Sequence, residues 1–245
     1  MDVTISIQTR KIALRLSYFA IGFLLAGVVS HSIKYDVNAL PDLYRWFGTD
    51  GEKNLPAAFS CGLLLVASTL LGVITVNKRE NCDRFTLHWG GLSLIFSLLA
   101  LDEWMSFHER LTDVVKTVVP AVGIFHFAWI IIGMAFSLLI GLLYRQFLKH
   151  LPHPYRQLFL IAAGLFLLGA IGMEMLSGHY VENHQQWNRN SWLALTTIEE
   201  GLEMFGMIVF IHTLLRYIST FIGHHFQVRL VSPMAAPTSS MENDL

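Results

Sequence analysis

"LHWGGLSLIFSLLALDEWMSFHERL", residues 87–111, is largely apolar as far as Leu101 and then sets Asp102, Glu103, His108 and Glu109 within eight residues. An apolar run of this length is what a helix in lipid needs. The charge at its end is what lipid tolerates least. How the chain reconciles the two decides both its fold and its function.

Composition places the whole chain in a membrane. Of 245 residues, 53% are hydrophobic and only 14% charged, with a mean hydropathy of +0.50. Soluble domains carry roughly 25% charged residues. No long polar insertion interrupts the apolar segments, so residues 1–229 read as a single transmembrane domain. The small, polar, Pro-containing stretch 230–245 reads as a disordered cytoplasmic tail. A net charge of −1 and the lack of a basic stripe argue against nucleic acid as a partner. The expected partners are the bilayer itself and, as further options, other membrane subunits or copies of the same chain.

Six segments are long enough, at roughly 20 residues or more, to cross about 30 Å of hydrocarbon. They lie at about 12–33, 55–76, 86–105, 119–143, 158–177 and 192–215. Alternating apolar and polar runs of the barrel type are absent, so the segments are expected to be helices, whose backbone groups are satisfied internally. The fold class is therefore all-α, a polytopic transmembrane helix bundle of about six spans. With both termini cytoplasmic, eleven of the 17 Lys and Arg fall on the inner side and six on the outer. That matches the positive-inside preference and a multi-pass location in the inner, or plasma, membrane. The basic, apolar start reads as a retained first helix rather than a cleaved signal, because its apolar part is too long and no A-x-A site follows. Cys61 and Cys82 fall on opposite sides, which speaks against a disulfide.

In this topology most acids lie outside. Helix three ends in Asp102 and Glu103, with His108 and Glu109 one to two turns on; helix five ends in Glu174, followed by His179. Helix six starts at Trp192, a natural interface anchor, and presents Glu199, Glu200 and Glu203 about 10–16 Å further in. Spacings of three and four put those three acids on one side of their helix. On helix three, Asp102 and Glu109 are seven apart and nearly in register, with Ser106 between them, and Glu103 and His108 are expected to point elsewhere.

An ionised side chain at the bilayer centre costs about 2.5–3.5 kcal/mol. The acids therefore call for a positive partner, for protons, or for water. Carboxylates and imidazoles drawn from several helices suit Fe, Mn or Zn. The candidate metal ligands are Asp102, Glu103, His108, Glu109, Glu174, His179, Glu199, Glu200 and Glu203. Such a centre would serve a membrane-embedded metalloenzyme working at the outer lipid–water boundary. No Glu is followed three residues on by His, so the usual di-iron bundle signature is missing. The same acids would also suit a cation- or proton-translocating transporter, though the inner halves of the helices offer only His212, Ser93, Ser97 and Ser137 as polar steps. A third reading is an accessory or structural subunit of a larger membrane complex, its acids solvated in an outer funnel. Histidines at the inner ends, such as His88 and His150, are expected to be solvated.

At "LDEWMSFHE" (101–109) and "IEEGLEMFG" (198–206) the chain resembles a group of uncharacterised bacterial six-helix integral membrane proteins. Those share an "LDE…HE" and an "EE..E..G" segment on separate helices. The resemblance implies a six-helix layout and no established activity; the positions it highlights are Asp102, Glu103, His108, Glu109, Glu199, Glu200 and Glu203. Neither the Ser/Asp/His pattern of the alkaline ceramidase and adiponectin-receptor group nor the HxxxH boxes of membrane desaturases occurs.

Overall fold

The computed structural model describes residues 8–37, 40–49, 51, 53–183 and 188–222. The expected tail at 230–245 lies outside the described residues. Among these, regular structure is helical throughout. Four helices are long and apolar enough to cross a membrane. The first runs from Thr9 to Tyr35, where α1 (Thr9–Ser32) continues into a π turn (Ile33–Val37). The others are α3 (Leu55–Glu80), the continuous run His153–Asn183, and α10 (Arg189–Phe221); α2 (Pro41–Phe47) and α7 (Arg145–His150) are short helices between longer ones. Asn54 caps α3 by accepting from the Ala57 N–H at 2.9 Å, and Lys78 and Arg79 sit in its last turn, where the helix dipole favours cations. Asn188 caps α10 in the same way, accepting from Asn190 N at 3.1 Å.

The third expected span is broken. α4 (Thr86–Met105) and α5 (Phe107–Lys116) meet at an 82° bend, and count as a single fifth span only if taken together. The fourth expected span, 119–143, is α-helical only as α6 (Trp129–Leu143), 15 residues or roughly 22 Å. Pro120 has no N–H to continue a ladder, and Gly123 sits at φ +62°, so the chain approaches α6 through a single 3₁₀ turn, Gly123–Phe125.

α10 is the central helix, packed against α1, α3 and α8 (His153–Leu167). Gly206 lets α10 close on α8: a Cβ there would stand 2.8 Å from Phe166 N and 3.0 Å from Ala162 O. α3 and α4 are joined in mid-helix by hydroxyls. Ser68 Oγ donates to Ser93 O at 2.7 Å, Ser93 Oγ donates back to Ser68 O at 2.8 Å, and Ser97 Oγ lies 2.7 Å from Ser68 Oγ. Both Cys61 and Cys82 are free thiols.

Towards the end of the bundle where α4 starts and α10 finishes, the interior is solid. Trp89, Phe147, Phe159 and Tyr217 are all buried, with the Trp89 ring 4.9 Å from both Phe147 and Tyr217. His88, expected to be solvated, instead stacks on Phe147 at 5.7 Å and 13°, because the aromatic cluster reaches the helix end. Large apolar side chains such as Tyr18, Leu65, Leu94, Leu138 and Leu160 are exposed around the bundle. An apolar exterior over a packed interior is the arrangement of a protein surrounded by lipid.

Candidate functional site: an acidic chamber at the α4–α5 break

The site begins with Ser106. Its backbone is left-handed (φ 52°, ψ 48°), which for a residue with a Cβ costs on the order of 1 kcal/mol and persists only where other bonds fix it. Those bonds come from Asp102. Its carbonyl accepts from Ser106 N at 2.7 Å, its Oδ1 accepts from His108 N at 2.9 Å, and its Oδ2 lies 3.0 Å from His108 Nδ1. Asp102 thus closes α4 through its backbone carbonyl, while its carboxylate caps α5 and orients the imidazole. The helix-three register expected from the sequence fails here. Asp102 and Glu109 do not share a face across the bend; Asp102 and His108 are the pair.

Opposite stands a π turn, Leu168–Met173, between α8 and α9 (Glu174–Asn183). The wider turn shifts the helical phase by one residue, a device frequent at functional sites, and Glu174 follows it directly. Gly169 within it lies against α10, next to Glu199 and Glu203.

These elements enclose a cavity of about 160 Å³ lined by Asp102, Glu103, His108, Glu174, Glu199 and Glu203, with Trp129, Gly133, Phe136 and Ser137 of α6 as a further wall. Among the described residues, no Lys or Arg lines it. The His108 ring centre is 5.3 Å from that of Trp129. The Trp129 indole N–H is buried, faces Glu174, and falls short of hydrogen-bond geometry with it. Glu203 has Glu103, Glu174, Glu199 and Glu200 within electrostatic range and accepts no hydrogen bond among the described residues. Glu200 stands behind the lining, near Glu103 and Glu199, with a buried Oε2 that no donor reaches.

Three of the nine sequence candidates do not line the cavity: Glu200 behind it, and two at the surface. Glu109 is exposed on α5, and His179 is exposed on α9 with its Nδ1 3.0 Å from Asn183 Nδ2. Trp129 and Ser106 escaped the sequence reading; only the placement of an aromatic just after Pro120 and Gly123 signalled the former. Among the described residues, no three His, Cys, Asp or Glu side chains are placed to hold a metal ion.

Beside the chamber runs a wider, mostly apolar groove of about 470 Å³ between α5 and α6. It shares Asp102, His108, Trp129, Gly133 and Phe136 with the chamber and adds Phe107, Arg110, Leu111, Val114 and Ile132.

A family model described as a domain of unknown function (DUF8692) matches residues 16–218. Comparison with curated proteins and with solved structures finds no match in either.

Proposed function

We propose, for a chain that belongs to the family described as domain of unknown function DUF8692, that its chamber is an outward-opening membrane site that binds a cationic group and does acid–base chemistry on it. The topology in this reading is six crossings of the inner membrane with both termini inside, α6 and the 3₁₀ turn before it making the fourth. The excess of Lys and Arg on the inner side supports that orientation.

The observation that carries the reading is the lining itself: five carboxylates and one imidazole around one space, with no Lys or Arg among the described lining residues. In a medium of low dielectric, like charges at this density destabilise one another, and any positive group among them is favoured by all. Asp102 holds His108 at 3.0 Å through Nδ1, leaving Nε2 as the nitrogen for proton transfer. The inner end supports a closed site over a through-path. The aromatic cluster around Trp89 is packed, and Ser93 and Ser97, the polar steps a transporter would use, are engaged with Ser68.

One observation favours a second reading, a metalloenzyme using Fe, Mn or Zn. A carboxylate bound to the far nitrogen of an imidazole is the arrangement that orients metal-ligating histidines. The ion would take Nε2 of His108 and draw the carboxylates of Glu199 and Glu203 together.

Titration calorimetry on the purified full chain, with methylammonium and separately with Zn²⁺, Mn²⁺ and Fe²⁺, tests both. Saturable methylammonium binding, weakened roughly tenfold in Glu203→Gln through loss of one charge-assisted contact, is the expected result. Binding of a metal ion alone would replace the first reading with the second. Binding of neither would end both.

A further inference from the structure

The groove beside the chamber gives the ligand a second half. Its walls, Phe107 and Val114 on α5 and Ile132 and Phe136 on α6, are exposed apolar side chains. α5 leaves α4 at 82°, so where α4 crosses the bilayer α5 lies along its outer surface. α5 is itself strongly two-faced, as helices lying in the interface are. The groove between α5 and α6 therefore opens sideways, at the depth where acyl chains meet headgroups.

Resting on the reading of the chamber as a cation site, we propose that its ligand is a membrane amphiphile with an amine head and an apolar tail. The ammonium stands among the carboxylates and the tail lies along the α5–α6 groove. Charge decides the head. An anionic headgroup would have to pass Asp102 and face Glu103, Glu174, Glu199 and Glu203, whereas an ammonium is attracted by each. Among the described residues that line the two spaces, the one Lys or Arg is Arg110, which lines the groove and not the chamber, with its guanidinium 5.8 Å from the Phe107 ring centre. It disfavours a positive head stopping in the groove and so directs the amine inward. Glu203 supplies a second observation: it is partly buried, lines the cavity with four other carboxylates around it and accepts no hydrogen bond among the described residues, and behind it the buried Oε2 of Glu200 is reached by no donor either. Shape agrees with charge. The residues common to both spaces put the polar end of Trp129 beside Glu174 while its ring lines the groove.

The test is photo-crosslinking of the full chain in phosphatidylcholine nanodiscs with dodecylamine carrying a diazirine in its tail. Adducts mapped by mass spectrometry should concentrate on α5 and α6, at positions such as Leu111, Val114 and Ile132. Unlabelled dodecylamine should suppress them, and dodecyl sulfate should not. Glu203→Gln should lower the adduct yield roughly tenfold, the loss of one charge-assisted contact. Leu111→Trp, which fills the groove without touching the acids, should do the same while methylammonium binding stays at the wild-type level. Adducts spread evenly over exposed leucines such as Leu65 and Leu160, or equal labelling by the dodecanol analogue, would overturn the proposal. If methylammonium binds but the tail shows no preference for the groove, the amphiphile is wrong and the cation site stands. If methylammonium fails as well, the chamber reading itself falls.

Discussion

Gly169 and Glu203 touch so closely that a Cβ on the glycine would stand 2.7 Å from Glu203 Cγ, and 2.9 Å from the neighbouring Glu199 carbonyl oxygen. The second of these atoms is backbone and cannot turn aside. Gly169→Ala must therefore push the π turn away from α10 and open the chamber wall. The expected cost is about 1–3 kcal/mol, typical of overpacking, read as a lowered unfolding temperature in detergent together with weakened methylammonium binding. Gly164→Ala is the control, since nothing lies within 4 Å of the added carbon. It should be neutral or stabilising by up to about 1 kcal/mol. Identical behaviour of the two variants would refute the contact.

Asp102 holds α5 through both carboxylate oxygens. Asp102→Ala removes the cap and the imidazole partner together, and should cost about 1–3 kcal/mol. It should also make the 106–116 segment a site of limited proteolysis. Asp102→Asn keeps an acceptor for the His108 N–H and should leave α5 in place. Equal protease sensitivity in the two variants would mean that Asp102 does not hold the break.

The native thiols report the topology. Cys82 is exposed in the turn after α3, on the side assigned to the cytoplasm. A membrane-impermeant maleimide added to intact cells should leave Cys82 unmodified and should label it after permeabilisation. Labelling of Cys82 in intact cells would invert the orientation.

In the turn between α3 and α4, Asp83 supplies a pH dependence with a definite sign. Partial burial works to raise its pKa. The Lys78 ammonium at 2.9 Å and the Phe85 backbone N–H at 2.8 Å outweigh that and hold the carboxyl below the usual carboxylate range. A depressed pKa in the folded state contributes stability above the unfolded value near 3.9. The contribution disappears as pH falls through the folded value. Asp83→Asn should thus lower the unfolding temperature slightly at pH 7, with the difference vanishing at the acid end of the titration. A constant difference at all pH values would show that charge is not the cause.

Much of this was legible in the sequence, and the limits have physical causes. Length and hydropathy are local properties, so the long apolar runs around 55–76 and 158–177 were readable at once. The shared depth of Asp102, Glu174, Glu199 and Glu203 followed from counting residues along helices. What counting could not reveal was a change of helical phase. Ser106 carries no breaker chemistry, and its left-handed backbone exists because Asp102, four residues earlier, bonds across the bend. The π turn before Glu174 likewise depends on α10 packing against Gly169. Glu109 and His179 looked equivalent to the other candidates in sequence, and only the bend and the direction of α9 carry them to the surface. The shortening of the 119–143 segment comes from Pro120 and Gly123, whose local effect is hidden in hydropathy by the apolar residues around them.

Charge and opening of the chamber are tested together by a thiol placed where no acid is lost. Ser137 lines the cavity from α6. Ser137→Cys, in a chain with Cys61 and Cys82 replaced, is exposed in right-side-out vesicles to two impermeant methanethiosulfonates, one carrying a trimethylammonium and the other a sulfonate. Modification from the outer side, with the cationic reagent faster by roughly tenfold or more, is the predicted result. Modification only from the inner side, or equal rates for the two charges, would contradict an acidic chamber open to the outside.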